Sequence, residues 1–469
     1  MTAPDVRPAP DDPDAVPRPV PDPSGPDLLR RRPVARLLRS RWYPGVFQVP
    51  VAAVFGLVAY VLLAGPETAH HNAGTALLWV VWWPLLPLAF LLAGRFWCAV
   101  CPFGAITDAV RKVVGLERPV PRFLKRYGIW LIDAQFLLIT WADHVWGVVG
   151  SPWGSGVLLL LLTTGVVASG AFLQRRAFCR YLCFLGGLCS TYGRTGVLDL
   201  RADRAVCAGC TARAACYHGT ATVDPCPLST FPRTMDSSAH CSFCGNCVKS
   251  CPNDAIRLRL RPPTSQLWSV RTPRVEESFL AMAIMGIVLV QNVTMLGVWT
   301  DLLDLMARAG VTAPVGAFTI AFAVAVAVPV ALLLAASAVA ARRTVESVTA
   351  NFARFGYALI PLDVAAHLAH NLFHLLSEGG HVTGTVAAVF GFPVESSAAL
   401  AGAGTIRVLQ YALLAAGAAG SVHALRRLAG HRYRTAERRR ATTAPYLVMI
   451  VLLAAVNAYL FTQPMTHRM

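Results

Sequence analysis

The sequence predicts a mostly α, polytopic membrane protein interrupted by one small, polar, cysteine-rich insert. Three observations lead there. Hydrophobic residues make up 55% of the 469 and charged residues only 14%, whereas soluble domains are about a quarter charged. Nine apolar stretches approach the roughly 20 residues that a helix needs to cross a bilayer. All 13 cysteines lie between Cys98 and Cys251. This balance excludes a disordered chain, an ordinary soluble enzyme and a secreted disulfide scaffold. A net charge of +17 would suggest nucleic acid in a soluble protein. Here it marks one face of a lipid bilayer, and no nucleic-acid partner is expected.

Residues 1–40 read as an unstructured tail, rich in Pro, Asp and Ala at first and basic at its end. Crossings are expected near 45–64, 77–94, 128–147, 156–174, 277–298, 316–340, 354–376, 404–424 and 445–463. The third is the least apolar, with Asp133, Gln135, Asp143 and His144. Lys and Arg collect in cytoplasmic loops, which orients the chain. Segments 95–127, 175–275, 341–355 and 425–444 hold seven, fourteen, three and seven basic residues, while 65–76, 148–155 and 377–403 hold none. The N-terminus and the insert are therefore expected inside and the C-terminus outside. The expected organisation is a four-helix membrane domain (41–198), a cytoplasmic polar domain (199–262) and a five-helix membrane domain (275–469). The tryptophans Trp79, Trp82, Trp83, Trp130, Trp141, Trp146 and Trp153 are expected in interfacial belts.

The polar domain carries the sharpest signal. Cys241-Ser-Phe-Cys244-Gly-Asn-Cys247-Val-Lys-Ser-Cys251-Pro252 is the C-x2-C-x2-C-x3-C-P run of bacterial ferredoxins, in which the fourth cysteine serves the other cluster. Upstream, Cys207-x2-Cys210-x5-Cys216-x9-Cys226-Pro227 repeats the order with wider gaps. Crossing the fourth ligands gives Cys207, Cys210, Cys216 and Cys251 to one [4Fe–4S] cluster. Cys226, Cys241, Cys244 and Cys247 go to a second, which makes this a small α+β two-cluster ferredoxin-like domain. Zinc also takes four thiolates, but not at this spacing.

Two further cysteine pairs sit where the second and fourth crossings reach the basic side. One is Gly94-Arg95-Phe96-Trp97-Cys98-Ala-Val-Cys101-Pro102-Phe103-Gly104. The other is Cys179-Arg-Tyr-Leu-Cys183-Phe-Leu-Gly186, followed by Cys189. Four thiolates at one depth suit a third metal centre, a redox disulfide or an electron relay, and soft metals such as copper also suit thiolates. Structural thiols in helix-end turns are the plain alternative.

With these motifs the chain resembles the membrane polyferredoxins of the NapH/NosR type, over about residues 45–260. The resemblance implies a bacterial cytoplasmic-membrane protein that passes single electrons between a quinone pool or cytoplasmic donor and an extracytoplasmic acceptor. It also implies a quinol dehydrogenase-type oxidoreductase component with a redox partner protein. It nominates Cys98, Cys101, Cys179 and Cys183 together with the eight insert cysteines. A second reading is an accessory protein that supplies electrons or metal to an extracytoplasmic metalloenzyme as it matures. The sequence departs from the pattern at Cys98-x2-Cys101-Pro, where C-x3-C-P is usual, and at Phe184, where Pro is typical.

The five-helix half lies outside the resemblance and has its own motif, Asp363-x3-His367-x2-His370-x3-His374. These steps place all four side chains on one helix face. Ionisable groups inside a membrane face a cavity, a cofactor or a proton path. Haem, quinone, a metal, a proton path or an interhelical hydrogen-bond network would each use them. Partners for a site near the outer face would come from His70, His71, His144, His381, Met465 or His467.

Overall fold

Long helices that are apolar on every side have only lipid and other helices to pack against, and that sets the architecture. A computed structural model describes residues 25–212, 214–344, 346–392 and 399–465. The first 24 residues of the expected tail, and His467, lie outside them. In chain order the main helices are α1 (Gly45–Ala64), α2 (Trp83–Ala93), α3 (Pro102–Val114), α4 (Arg122–Trp146), α5 (Pro152–Phe172) and the short α6 (Phe184–Tyr192). After the insert come α7 (Val275–Thr294), α8 (Pro314–Ala341), α9 (Ile360–Val389), α10 (Ala403–Arg432) and α11 (Ala436–Leu460).

Seven described stretches are long and apolar enough to cross a membrane: α1, the run Ala73–Val114 containing α2 and α3, α5, α7, α8, α10 and α11. The expected third and seventh crossings are present as long helices, α4 and α9, with more ionisable residues. α9 is hidden from lipid: every residue from Ile360 to Asn371 is buried. α7 is similarly central, with Leu280 to Met285 at most 2% exposed. Side chains such as Val49, Val54 and Leu57 of α1 and Val448 and Val451 of α11 point outward, as a bilayer-facing surface requires.

Small residues let the helices approach. A methyl group on Gly286 of α7 would strike the backbone of α8 at Ala325, and one on Gly417 of α10 would lie 2.9 Å from the Pro361 carbonyl of α9. The seventh crossing begins later than expected, at Ile360, because a separate helix (Val348–Phe355) and a tight turn (Gly356–Leu359) precede it, with Pro361 in its first turn, a position where proline's fixed φ suits a helix start.

The insert is closed by two antiparallel strands, β1 (Leu198–Ala202) and β2 (Ile256–Leu260), paired from Leu198↔Leu260 to Ala202↔Ile256. Between them the described residues make short helical turns, among them Arg204–Ala208, Ala215–His218 and Asn246–Ser250. Part of the expected tail is ordered after all. Arg32–Arg39 is a helix, and Leu28, Leu29, Val34 and Leu38 pack on Leu200, Phe243, Ile256 and Leu258, apolar contacts that a Pro- and Arg-rich reading of the segment passed over.

Buried polar contacts fix the insert over the joint between the membrane halves. The Arg194 guanidinium donates to Glu277 in the first turn of α7 at 2.6 Å, and the Tyr357 hydroxyl donates to the same carboxylate. Arg261 donates to the carbonyls of Gly193, Arg194 and Leu198 at 2.8–3.1 Å.

Candidate functional site

The insert's turns bring its cysteines into two adjoining groups. Cys226, Cys241, Cys244 and Cys247 line one small cavity. Cys207 and Cys216 each lie within electrostatic reach of Cys210 and Cys251. Cys247 also senses Cys216, so the groups are neighbours. The tight loop around Cys244 depends on Gly245, whose φ of +78° a side chain would strain; an added methyl there would also press to 2.9 Å on the Leu38 carbonyl. Below the loop, the Tyr43 hydroxyl donates to the Phe243 carbonyl at 2.7 Å. Backbone amides donate to sulfur, Phe243 to Cys241 at 3.4 Å and Ala255 to Cys251 at 3.3 Å. Hydrogen bonds of this kind tune cluster potentials.

The donor chemistry fits a cationic occupant. Burial, then repulsion from Cys251 and Cys207, pushes the Cys216 thiol up to about 11. Burial and Cys244 raise Cys226 and Cys241 in the same direction. Cys216, Cys226 and Cys241 thus resist ionisation until a metal supplies positive charge, which inverts that logic. Among the described residues no three His, Cys, Asp or Glu side chains are gathered closely enough to share a single metal ion. Thiolates on one zinc would stand within about 4 Å of each other, so thiols that line a cavity without closing on one point suit a larger body such as a four-iron cluster.

A second thiol-lined cavity lies at the membrane surface. Its wall contains both pairs expected from the sequence, Cys98 with Cys101 and Cys179 with Cys183, and also Cys189. The Cys98 and Cys189 side chains adjoin one another there. Two buried arginines shape it. Arg95, 2% exposed, donates to Cys98 Sγ at 3.3 Å, to the Cys179 carbonyl at 3.2 Å and to the Ala239 carbonyl of the insert at 2.9 Å. Arg176 forks onto Asp108 at 2.6 and 3.1 Å and reaches the Cys98 carbonyl at 3.3 Å. Ser242, between Cys241 and Cys244, lines this cavity as well as the insert's own. The two thiol-lined spaces thus share a wall.

The α9 motif is also brought together, with partners from other helices. The Tyr192 hydroxyl meets His367 Nδ1 at 3.0 Å, His370 Nδ1 meets Asn292 Oδ1 at 2.7 Å, and His374 Nδ1 meets Glu378 Oε1 at 3.0 Å. Asp363 sits beside Tyr192. The imidazoles are engaged by protein groups and packed, His370 against His374 with ring centroids 5.2 Å apart.

The expected tryptophan belt is corrected in part. Trp146 and Trp153 are 70% and 66% exposed at helix ends, but Trp82 and Trp83 turn into the core. Wide helical turns over Ala76–Trp82 carry them there. Their rings run in series from Trp97 in the cavity wall: Trp97–Trp82 5.7 Å, Trp82–Trp83 6.2 Å and Trp83–His367 6.0 Å. Sequence reasoning gave no role to Arg95, Arg176, Tyr192 or Asn292, most of whose partners are remote in the chain. Glu378 was within reach, since it continues the motif by one more step of four.

Comparison with known proteins agrees with this geometry. A family profile described as a 4Fe-4S binding domain matches residues 75–121 and 155–201, the segments that carry the five cysteines of the membrane-surface cavity. Another 4Fe-4S binding domain profile matches 237–257, from just before Cys241 to beyond Cys251. The chain is 27% identical over 176 residues to an uncharacterized protein of Methanocaldococcus jannaschii, covering 36% of this chain and 65% of that protein. It is 24% identical over 230 residues to the "Putative electron transport protein YccM" of Escherichia coli, covering 44% of this chain and 60% of that protein. The chain therefore spans just under two thirds of the length of these curated relatives. No solved structure matches. Iron–sulfur electron transfer in a membrane setting is the character that these matches and the apolar helices support.

Proposed function

We propose that the chain passes single electrons through three iron–sulfur centres arranged from the insert into the membrane surface. Cys207, Cys210, Cys216 and Cys251 would hold the first, and Cys226, Cys241, Cys244 and Cys247 the second. The third would be held by Cys98, Cys101, Cys179 and Cys183, with Cys189 as a fifth thiol beside them. Each cluster, when bound, supplies a one-electron couple. The protein's part is to bury the sites, aim amides and guanidinium groups at the sulfurs, and keep neighbouring sites close. The observation that carries the reading is the wall shared through Ser242 by two thiol-lined cavities, one in the insert and one between membrane helices.

In keeping with the resemblance to the NapH/NosR type, electrons would move between a quinone pool or cytoplasmic donor and an acceptor across a bacterial cytoplasmic membrane, with the insert inside. Anaerobic purification in detergent with iron and sulfide analysis and EPR of the reduced protein tests the proposal. About twelve irons in three four-iron centres is the expected result. Zinc in place of iron would sink it.

A further inference from the structure

We propose that α9 is a proton-conducting half-channel leading from the membrane face opposite the insert to the thiol-lined cavity, so that an electron arriving there draws a proton from that far side. The electron source rests on the iron–sulfur reading above; the path rests on the side chains themselves. Asp363, His367, His370, His374 and Glu378 are all at most 3% exposed and follow one another along a single helix face, joined by the equally buried Tyr192 of α6 and Asn292 of α7. Asp363 and Glu378 are fifteen residues apart, about 22 Å at 1.5 Å per residue, out of a hydrocarbon thickness of about 30 Å. Glu378 is one turn from His381, which is exposed. The N-terminal end of α9 adjoins the Tyr357–Glu277–Arg194 contacts beneath the insert, so Glu378 and His381 lie toward the opposite face.

The inner end meets the redox site twice. Tyr192 follows Cys189 by three residues on α6, on the same face of the helix, and both are fully buried. The ring series Trp97, Trp82, Trp83 ends on His367. Burying three imidazoles and two carboxylates in one membrane helix is costly and is characteristic of proton relays; asparagine and serine would serve a purely structural network. An imidazole accepts a proton on one ring nitrogen and releases another from its second, and carboxylates and the tyrosine hydroxyl pass one in the same manner. At each step one O–H or N–H bond breaks and one forms. The centre gains one electron from the insert's clusters, the inner end of the path gains one proton, and the far aqueous phase loses one. No other oxidant or reductant takes part.

The test uses the full chain in sealed proteoliposomes with a pH dye in the lumen and a membrane-impermeant reductant outside, which reduces only the outward-facing inserts. The lumen is expected to become alkaline, a proton lost for each electron counted by EPR, and an uncoupler should abolish the change. Glu378→Gln should slow it about a hundredfold with the reduced-cluster signals intact. His381→Ala, at the exposed mouth where folding is not at stake, should also slow it. Reduced clusters with no luminal pH change would overturn the half-channel alone, leaving the path as a structural network. Unaltered rates in both variants would do the same. Absence of any reducible cluster would overturn it together with the electron-transfer reading.

Discussion

The Tyr192 hydroxyl and His367 Nδ1 meet at 3.0 Å, joining the end of the cysteine-bearing membrane half to the helix that carries the other half's ionisable residues. Both side chains are at most 2% exposed, so water cannot replace either partner. Tyr192→Phe keeps the ring that packs on His367 at 5.7 Å and removes only the hydroxyl. A loss of about 1 kcal/mol is expected from the missing buried hydrogen bond, read as a lower midpoint in thermal unfolding of the detergent-solubilised protein.

The membrane-surface cavity should be separable from the insert's sites. In the Cys98→Ser/Cys179→Ser double variant about four of about twelve irons should go, with the EPR signals of the insert clusters retained. A full complement of iron in that variant would show that those thiols hold no metal. Cys226→Ser should lose iron with the opposite spectral pattern, since Cys226 lines only the insert cavity.

Arg95 has three acceptors on three separate segments, which a point charge cannot reproduce. Arg95→Lys is expected to destabilise the protein by about 2–4 kcal/mol. It should also shift the potential of the membrane-surface centre, because the donor to Cys98 is lost. Redox-titrated EPR beside a thermal melt separates the two effects.

Glu346 ties α10 to the helix before α9: its carboxylate accepts from Arg354 at 2.8 Å, Arg432 at 2.7 Å and Tyr433 at 3.1 Å. Burial opposes its ionisation, but the two guanidinium groups and the hydrogen bonds from Arg432 and Tyr433 outweigh that and hold the carboxyl below its ordinary value. A depressed carboxyl pKa gives stability that is complete above the unfolded value of about 4.3 and is lost as pH falls through the folded one. The wild-type melting temperature should fall on acidification below that range. Glu346→Gln should already melt lower at pH 7, and its gap to wild type should close as the pH drops.

Helix contact through glycine predicts a sharp contrast. At Gly286 even one methyl group collides with the α8 backbone, whereas at Gly56 on the outer face of α1 nothing lies within 4 Å. Gly286→Val is expected to cost at least about 2 kcal/mol and to lower membrane yield. Gly56→Ala should fall within about 1 kcal/mol of wild type, on the stabilising side. Equal melting temperatures would show that α7 and α8 are not packed so closely.

The long helices were legible because twenty apolar residues in a row have few other uses, and the insert's cysteines because cluster ligation demands fixed spacing. Elsewhere local pattern misled. Apolar content alone could not see the turn at Gly356–Leu359 that delays α9, nor that Leu28 and Leu38 find a surface on β1 and β2. Trp82 and Trp83 have the composition of a membrane-interface belt, yet the wide turns before α2 rotate them inward. The Asp363 to His374 face could be read from spacing, whereas Tyr192 and Asn292 could not, since only tertiary packing brings them within reach.

The cavity's cysteines stand on opposite sides of α4 and α5, and Ala239 and Ser242, made later still, close it from above. On a growing nascent chain this pocket therefore has a date of completion. It is half-walled until the residues after α5 have been made and open above until the insert folds down on Arg95. A polypeptide cut after α4 would emerge with two of the cavity's five thiols, Cys98 and Cys101, and no closed pocket around them.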